Sequence, residues 1–307
     1  MAVSTEDRFR GALLGLACGD AVGTRVEFSP RGSFVPVTGM QGGGPFGLAP
    51  GEWTDDTSMA LCLAASLIHC RGFDAVDQMN RYCNWRSVGY MSSNGRCFDI
   101  GITVSKALSR YLANGDPFAG DPDPRTAGNG ALMRLAPVAM FAMFGVADTP
   151  ALLRLAADST RTTHGAAEAI ACSRLFALQL QAALRGEDKA SILAPRDLGE
   201  APSPGAAALA AGRWRDKPRD AIKGSGYCVE SLEAALWCFA QADSFEEAIL
   251  AAANLGDDAD TTAAICGQLA GAFHGVAGIP VPWLATLTMR DEIDAMARAL
   301  FALAHPA

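Results

Sequence analysis

The sequence predicts an all-α fold. Long Ala/Leu-rich stretches carry apolar residues three and four positions apart, the spacing that gives a helix one apolar face. Stretches in which Val, Ile, Thr and Tyr alternate with polar residues are scarce, and only 25–40 is expected to contain a short extended piece. Gly/Pro-rich connectors separate the Ala/Leu-rich stretches. These three observations favour a multi-helix domain.

The predicted helices are apolar-periodic stretches bounded by polar residues, glycine or proline. In chain order they are 6–19, 57–71, 74–91, 99–114, 130–146, 149–158, 164–186, 229–241, 245–254, 261–274 and 291–304. Arg134 and Pro137 interrupt the most apolar of them, so we interpret 130–146 as a buried core helix and not as a membrane span.

The chain is expected to form a single domain over 1–307, because no internal repeat and no sharp change in composition divides it. Half of the 307 residues are hydrophobic, enough for a sizeable core. The polar region 185–227 is expected to form a flexible excursion on the surface. Gly15, Gly19 and Gly23 recur every four residues, which predicts that the first helix packs closely on another.

Charge and cysteine content limit the location and the partners. The net charge is −8 and no basic run is dense, which argues against a polymeric nucleic-acid partner. The nine scattered cysteines include no pair with metal or redox spacing, and the first residues lack a secretory signal. We therefore expect a cytoplasmic protein with no membrane partner, and a monomer.

Two acid-rich stretches stand before predicted helices. In "GEWTDDTSM" the acids are Asp55 and Asp56, and either alone is explained as a cap at a helix N-terminus. A similar stretch, "GDDADTT", carries Asp258 and Asp260 before another apolar helix. If both stretches faced one cleft, repulsion and desolvation would have to be relieved by protonation or by metal.

The ligand types favour magnesium or manganese over zinc, because oxygen donors fill both acid-rich stretches and neither contains His or Cys. Four carboxylates would balance two divalent ions. The spacing of Asp258 and Asp260, followed by Thr261, suits a turn that enters a helix with alternate side chains on one ion. Asp257 is then expected to point elsewhere.

Other polar positions have both structural and functional interpretations. Gly128, Asn129 and Gly130 either form an ordinary turn or let backbone amides approach an anion. His164 is a cap, a packing residue or a ligand contact at a predicted helix start, and the tyrosine of "GSGY" either packs in the core or stacks on a base. On sequence alone, Glu27 is a solvated loop acid and Asp99 an N-cap, unless either is functional.

Taken in order, several motifs closely resemble the ADP-ribosylglycohydrolase family. They are "GLACGDAVGTRVEF", "GEWTDDTSM", "FDIGITV", "GNGALMR", "TTHG", "GSGYCVESLEAALWCF" and "GDDADTTAAICGQLAGA". The resemblance runs over nearly the whole chain. Its most specific parts are the two acid-rich motifs, which stand about two hundred residues apart in the family's order.

The resemblance implies an all-α, orthogonally packed fold with two divalent metal ions, Mg²⁺ or Mn²⁺, at the base of an ADP-ribose cleft. The residues that match metal ligands are Thr54, Asp55, Asp56, Asp258, Asp260 and Thr261. Those that match substrate-binding positions are Gly128, Asn129, Gly130, Met133, His164, Gly226 and Tyr227. Glu27 matches a family acid near the metal centre, and Asp99 matches an acid close to the scissile ribose in the dinitrogenase reductase-activating branch. The choice of catalytic base between them stays open.

The implied function is hydrolysis of the glycosidic bond between ADP-ribose and a protein side chain or small-molecule acceptor. One alternative is a catalytically inactive ADP-ribose-binding or structural protein of the same fold. A magnesium-dependent prenyl-diphosphate or terpenoid enzyme is disfavoured, because Met59 and Ile265 stand where those enzymes carry acids. The linkage that is cut, the choice between the two metals and the oligomeric state are left open.

Overall fold

The computed structural model describes residues 3–143, 148–198 and 203–305. Over these ranges the prediction of an all-α fold is confirmed, since the chain forms fourteen α-helices and only isolated β-bridges. The helices are α1 (Thr5–Gly23), α2 (Asp55–Cys70), α3 (Ala75–Val88), α4 (Ile102–Asn114), α5 (Ala136–Phe141), α6 (Thr149–Arg161), α7 (Ala167–Leu184), α8 (Lys189–Leu193), α9 (Pro204–Ala210), α10 (Cys228–Gln241), α11 (Phe245–Ala253), α12 (Ala259–His274), α13 (Val281–Thr286) and α14 (Arg290–Ala304).

Helices α1 and α12 pack backbone to backbone at the centre of the core. A Cβ atom built on Gly15 would lie 2.4 Å from the carbonyl oxygen of Gly267, and one on Gly19 would lie 2.2 Å from that of Ala263. The pairing of early α1 residues with late α12 residues makes the helices antiparallel. The predicted close packing of the glycine-spaced helix is confirmed, and it brings the end of α1 beside the beginning of α12.

The N-termini of α2 and α12 lack the side-chain cap that six of the other twelve helices have. Ser4 and Asp74 accept hydrogen bonds from backbone amides of the helices that they precede, as N-cap side chains usually do. The side chains at the corresponding positions of α2 and α12, Thr54 and Asp258, make no such bond. Their oxygen atoms are therefore available to other partners.

The prediction of a core helix over 130–146 is wrong for residues 130–135, which do not form an α-helix. Residues 144–147 lie outside the described ranges. The helix α5 covers only Ala136–Phe141 and has a proline in its first turn. Before it, Gln268 of α12 replaces the helical hydrogen bonds: its amide donates to the carbonyls of Leu132 and Met133 and accepts from the Ala136 N–H. A long-range side chain thus stabilises an irregular segment.

Two helix starts and one extended piece also differ from the prediction. The helix predicted over 99–114 begins at Ile102, and the one predicted over 164–186 begins at Ala167. His164 therefore precedes its helix and is not part of it. No strand forms in 25–40, where the chain leaves a short 3₁₀ turn and continues irregularly.

The polar region 185–227 contributes to the core as well as to the surface. It contains α8 and α9, while its residues 199–202 lie outside the described ranges. Trp214 and Ile222 are buried, and Lys189 donates hydrogen bonds to backbone carbonyls that end α10. Across the described ranges, no helix is both long and apolar enough to cross a bilayer.

Candidate active site

A cavity of about 780 Å³ opens where the loops before α2, α4, α7, α10 and α12 meet. Its lining combines carboxylates with a glycine-rich loop. The carboxylates are Glu27, Asp55, Asp99, Asp257 and Asp258, and the loop runs through Gly128, Asn129 and Gly130. Met133, His164, Gly226 and Thr261 also line it. A cavity of this size suits a nucleotide-sized ligand.

The two acid-rich motifs meet beneath the cavity. Thr54 Oγ1 lies 3.3 Å from Asp56 Oδ2 and 3.3 Å from Asp260 Oδ2, and Thr261 Oγ1 lies 3.3 Å from Asp56 Oδ2. All four residues are buried. The structure therefore brings together side chains that are about two hundred residues apart in the sequence.

Asp20 is the residue of this cluster that the sequence analysis missed. Its fully buried carboxylate accepts hydrogen bonds from the N–H and hydroxyl of Thr54, both at 2.9 Å, and from those of Thr57, at 3.0 and 2.6 Å. It thereby caps α2 from the neighbouring helix α1. The available signal was one acid within the otherwise uncharged stretch 11–23 of a Gly/Ala-rich helix.

The buried carboxyl groups hold their protons more strongly than free ones. Burial, followed by the charges of Asp99 and other neighbouring acids, raises the pKa of Glu27 to about 9. Burial and the nearby acids raise the pKa of Asp99 to about 7, and burial raises that of Asp20 to about 6. The pKa values of the remaining acids are also raised, mainly by burial; these acids are Asp55, Asp56, Asp258 and Asp260.

Several observations fit a cation in this cluster. Asp56 Oδ1, Asp260 Oδ1 and Glu27 Oε2 are buried and have no hydrogen-bond partner. One carboxylate oxygen each of Glu27, Asp99 and Asp260 lie within 4.8 Å of one another. Within the described ranges, no Lys or Arg forms an ion pair with any acid of the cluster. Oxygen donors without a protein cation suit a hard divalent ion.

The Thr54 hydroxyl strengthens this interpretation. It has a single hydrogen atom, which the 2.9 Å contact directs to Asp20. Its lone pairs then face the carboxylates of Asp56 and Asp260. Because all of these oxygens are hydrogen-bond acceptors, the arrangement is favourable only when a proton or a cation lies between the hydroxyl and the carboxylates. The residues present are therefore suited to hold metal.

The structure rejects the simple interpretations of Glu27 and Asp99. Glu27 is 4% exposed and is not a solvated loop acid. Asp99 is not an N-cap, because Gly101 occupies that position of α4. Asp99 instead has a φ of 57°, a left-handed conformation that is costly for a residue with a Cβ atom. Such strain is characteristic of functional sites.

The glycine-rich loop is held by the loop that precedes α10. The Asn129 N–H donates to the Gly226 carbonyl at 3.1 Å, and the Cys228 N–H donates to that of Ala127 at 3.0 Å. The Asn129 side chain donates to Asp258 Oδ2 at 2.7 Å. This loop consequently fixes the orientation of an acid in the cluster as well as lining the cavity.

A buried arginine determines which nitrogen of His164 carries the proton. Arg134 donates from Nη2 to Thr163 Oγ1 at 2.7 Å, and Thr163 Oγ1 lies 2.8 Å from His164 Nδ1. Among the contacts of the described residues, His164 Nδ1 is the one acceptor for the Thr163 hydroxyl hydrogen, so Nε2 carries the ring proton. Burial and then Arg134 lower the pKa of His164 to about 3, which keeps the ring neutral.

The neutral His164 presents its N–H donor beside the glycine-rich loop. A Cβ atom on Gly128 would lie 3.4 Å from His164 Nε2, and one on Gly130 would lie 2.9 Å from Cε1. Tyr227 differs from the other predicted substrate-binding residues, because it does not line the cavity. Its hydroxyl lies 2.8 Å from both carboxylate oxygens of Glu168.

Comparisons with known proteins agree on one family. The family model for ADP-ribosylglycohydrolase matches residues 1–307. The chain is 48% identical to ADP-ribosylarginine hydrolase Tri1 of Pseudomonas putida (strain GB-1) over 295 residues, which are 96% of this chain and 78% of that protein. It is 33% identical to the ADP-ribosyl-[dinitrogen reductase] glycohydrolase of Rhodospirillum rubrum, over 98% of each. A solved structure described as an ADP-ribosylglycohydrolase-related protein complex matches with a TM-score of 0.86 and 46% identity, over 98% of this chain and 99% of that chain.

Proposed function

The chain belongs to the ADP-ribosylglycohydrolase family and is a glycosyl-bond hydrolase, and we propose that it releases ADP-ribose from modified arginine side chains of proteins. The choice of arginine is supported by the relative with 48% identity over 96% of the chain, which is named an ADP-ribosylarginine hydrolase. A hydrolase for a cationic acceptor also agrees with the acidic cavity lining.

The observation that carries this proposal is the convergence of buried and half-buried acids from four parts of the chain at or beneath one cavity. The acids come from α1 and the loop after it, from the start of α2, from the loop before α4, and from the start of α12. Burying so many carboxylates costs folding free energy. A chain that bound its ligand only through hydrogen bonds would have no need of this arrangement.

We further propose that two divalent cations, Mg²⁺ or Mn²⁺, are held by the residues of the two acid-rich motifs. These are Thr54, Asp55, Asp56, Asp258, Asp260 and Thr261. The unpartnered oxygens of Asp56 and Asp260 support this assignment. When bound, such ions supply positive charge that orients sugar hydroxyls and lowers the pKa of water.

The carboxyl groups of Asp99 and Glu27 are suited to the proton transfers. We assign Asp99 as the base that takes a proton from the attacking water, because its carboxylate lines the cavity and lies beside those of Glu27 and Asp260. Glu27, with a pKa of about 9, carries a proton at neutral pH and can give it to the guanidine nitrogen. The bond from that nitrogen to the anomeric carbon breaks as the water oxygen bonds to the same carbon.

The test is a substrate panel with the purified protein. After chelation and readdition of Mg²⁺ or Mn²⁺, release of ADP-ribose is measured from arginine-linked and serine-linked ADP-ribosyl peptides and from O-acetyl-ADP-ribose. We expect the arginine-linked peptide to be cleaved with the highest kcat/KM. Asp260→Asn should lower that value by at least a hundredfold. Asp291→Asn changes an acid whose side chain is 86% exposed, and serves as the matched control.

Binding without release would contradict the proposal. If the protein bound ADP-ribose but released none from any substrate with either cation, it would be a binding protein of the same fold. Full activity after exhaustive chelation would contradict the metal assignment alone. Equal rates on all linkages would contradict the choice of arginine and leave the hydrolase activity standing.

We also propose that the protein acts as a monomer in a reducing compartment, the cytoplasm. All nine cysteines are free thiols, and six of them are buried. Light scattering of the purified protein tests the oligomeric state, and a fractionated cell extract tests the location.

A further inference from the structure

Two neighbouring residues at the cavity, Phe28 and Asp257, have exposed side chains that the proposed chemistry does not use. Phe28 is 65% exposed, and Asp257, which we expected to point elsewhere than the metal ligands, is exposed as well. Both line the cavity. No hydrogen bond or ion pair of the Asp257 side chain is found among the described residues, so its carboxylate is free for a ligand.

Both residues have a strained backbone. Phe28 has a φ of 59° and Asp257 a φ of 56°, in the left-handed region that glycine adopts without cost. A bulky aromatic residue rarely adopts this conformation. Phe28 is the more unusual of the two, since aspartate adopts the left-handed region more readily than other residues with a Cβ atom, and such strain at a cavity indicates a functional side chain.

The backbone hydrogen bonds hold the two residues together. The Phe28 N–H donates to the Asp257 carbonyl at 2.7 Å, and the Asp257 N–H donates to the Ser29 carbonyl at 2.8 Å. Arg31 ties the same loops through hydrogen bonds to the carbonyls of Leu255 and Arg219. The Phe28 ring also contacts the ring of Phe46 edge to face, with the centroids 6.4 Å apart. The pair is therefore preorganised.

A planar cation complements this pair. A guanidinium group binds an aromatic ring with its face and a carboxylate with its N–H edge. A neutral hydroxyl or ester acceptor gains neither the cation–π attraction nor the charge pairing. Further carboxyl groups, including those of Asp99 and Asp258, line the same cavity.

We propose that Phe28 and Asp257 form the subsite for the acceptor and select the arginine guanidinium over neutral acceptors, an inference that rests on the proposed function. The Phe28 ring stacks on the guanidinium, and the Asp257 carboxylate accepts its hydrogen bonds. These residues act on the leaving group and not on the ADP-ribose part of the substrate.

The experiment compares Asp257→Asn, Asp257→Gly and Phe28→Leu with the wild type. Asparagine and glycine both tolerate a positive φ, so the two Asp257 variants should fold, and Asp257→Gly should raise the Tm. We expect each variant to lower kcat/KM for the arginine-linked peptide about tenfold. The dissociation constant of free ADP-ribose, measured by calorimetry, should change less than twofold. Val35→Ala, at another exposed apolar side chain, is the control for Phe28→Leu.

Three results would overturn the proposal. If the variants weakened the binding of free ADP-ribose as much as they lowered kcat/KM, the pair would contact the nucleotide and not the acceptor. A weaker affinity of Asp257→Asn for Mn²⁺ would make Asp257 a metal ligand. Unchanged kcat/KM in all three variants would remove any role for the pair. If the wild type failed to cleave the arginine-linked peptide, the proposed function itself would be contradicted. That result comes from the wild type alone and is independent of the variants.

Discussion

At the scale of single residues, Asp20 shows how one buried side chain supports a site that it does not line. The carboxylate accepts four hydrogen bonds from Thr54 and Thr57, so it fixes the first turn of α2 and the orientation of the Thr54 hydroxyl. The hydroxyl in turn faces Asp56 and Asp260. Local sequence cannot reveal this role, because Asp20 lies within a different helix.

We predict that Asp20→Ala destabilises the protein by about 3 kcal/mol, because two buried N–H groups lose their acceptor. The measurement is urea unfolding with Mg²⁺ present, so that repulsion within the acid cluster is neutralised. Asp291→Ala, on the surface of α14, should change the free energy of unfolding by less than about 0.5 kcal/mol. Equal stability of the two variants would contradict the role of Asp20 as the cap of α2.

A second prediction at this scale concerns the proton on His164. Thr163→Val removes the hydroxyl between Arg134 and the ring, so the Nε2–H form should no longer be fixed. We expect kcat/KM to fall about tenfold, with Thr163→Ser restoring most of it. The ¹⁵N spectrum of the histidine ring reports the tautomer directly. A wild-type ring protonated on Nδ1 would contradict the assignment.

At the scale of elements, the contact between α1 and α12 determines where the acids lie. The helices approach closely enough for backbone atoms to touch, because glycines face each other along the contact. Asp20 near the end of α1 and Asp260 at the start of α12 consequently both contact the hydroxyl of Thr54. The glycine spacing that predicts a close contact can be read from the sequence, but the identity of the partner helix cannot.

We predict that Gly15→Ala destabilises the protein by about 3 kcal/mol, because the new Cβ atom would lie 2.4 Å from the carbonyl oxygen of Gly267 and neither backbone can move freely. Gly72→Ala is the matched control, since the nearest atom to its Cβ would be 3.8 Å away. Urea unfolding measures both. A Gly15 variant as stable as the control would mean that the helices can separate at little cost.

The segment before α5 shows the limit of prediction at this scale. Apolar periodicity over 130–146 predicts a helix, yet Gln268 of α12 supplies hydrogen bonds to Leu132, Met133 and Ala136 in its place. Arg134 adds a hydrogen bond to the Gly130 carbonyl at 2.8 Å. Periodicity measures burial, and a buried irregular segment with long-range partners produces the same pattern as a buried helix.

At the scale of the whole molecule, the acid cluster predicts how stability depends on pH. Glu27 and Asp99 have raised pKa values in the folded state, about 9 and about 7, against about 4 in the unfolded chain. Below about pH 4 these groups are protonated in both states, so they do not change how the free energy of unfolding depends on pH. Between about pH 4 and pH 9 the folded protein binds more protons, so the free energy of unfolding falls as the pH rises.

We therefore predict that the chelated protein loses stability from pH 5 to pH 9, and that Mg²⁺ or Mn²⁺ restores it by an amount that grows with pH. The acids with lowered pKa values, such as Asp77 and Asp294, titrate below this window. His164 and His274 oppose the loss below about pH 6.5, because burial lowers their pKa values in the folded protein, that of His164 to about 3, so the loss of stability is steepest above about pH 6.5. Thermal unfolding at pH 5, 7 and 9, with a chelator and with each cation, is the measurement. A cation effect independent of pH would contradict binding by these carboxyl groups.

The sequence by itself determined the all-α class, the two acid-rich motifs and the family, because helical periodicity and motif order are local or collinear properties of a chain. Tertiary structure alone decided that Glu27 is buried, that Asp20 caps α2, and that Phe28 and Asp257 share a strained edge of the cavity. Burial and strain depend on contacts between segments far apart in the chain, and such contacts form only when the helices pack.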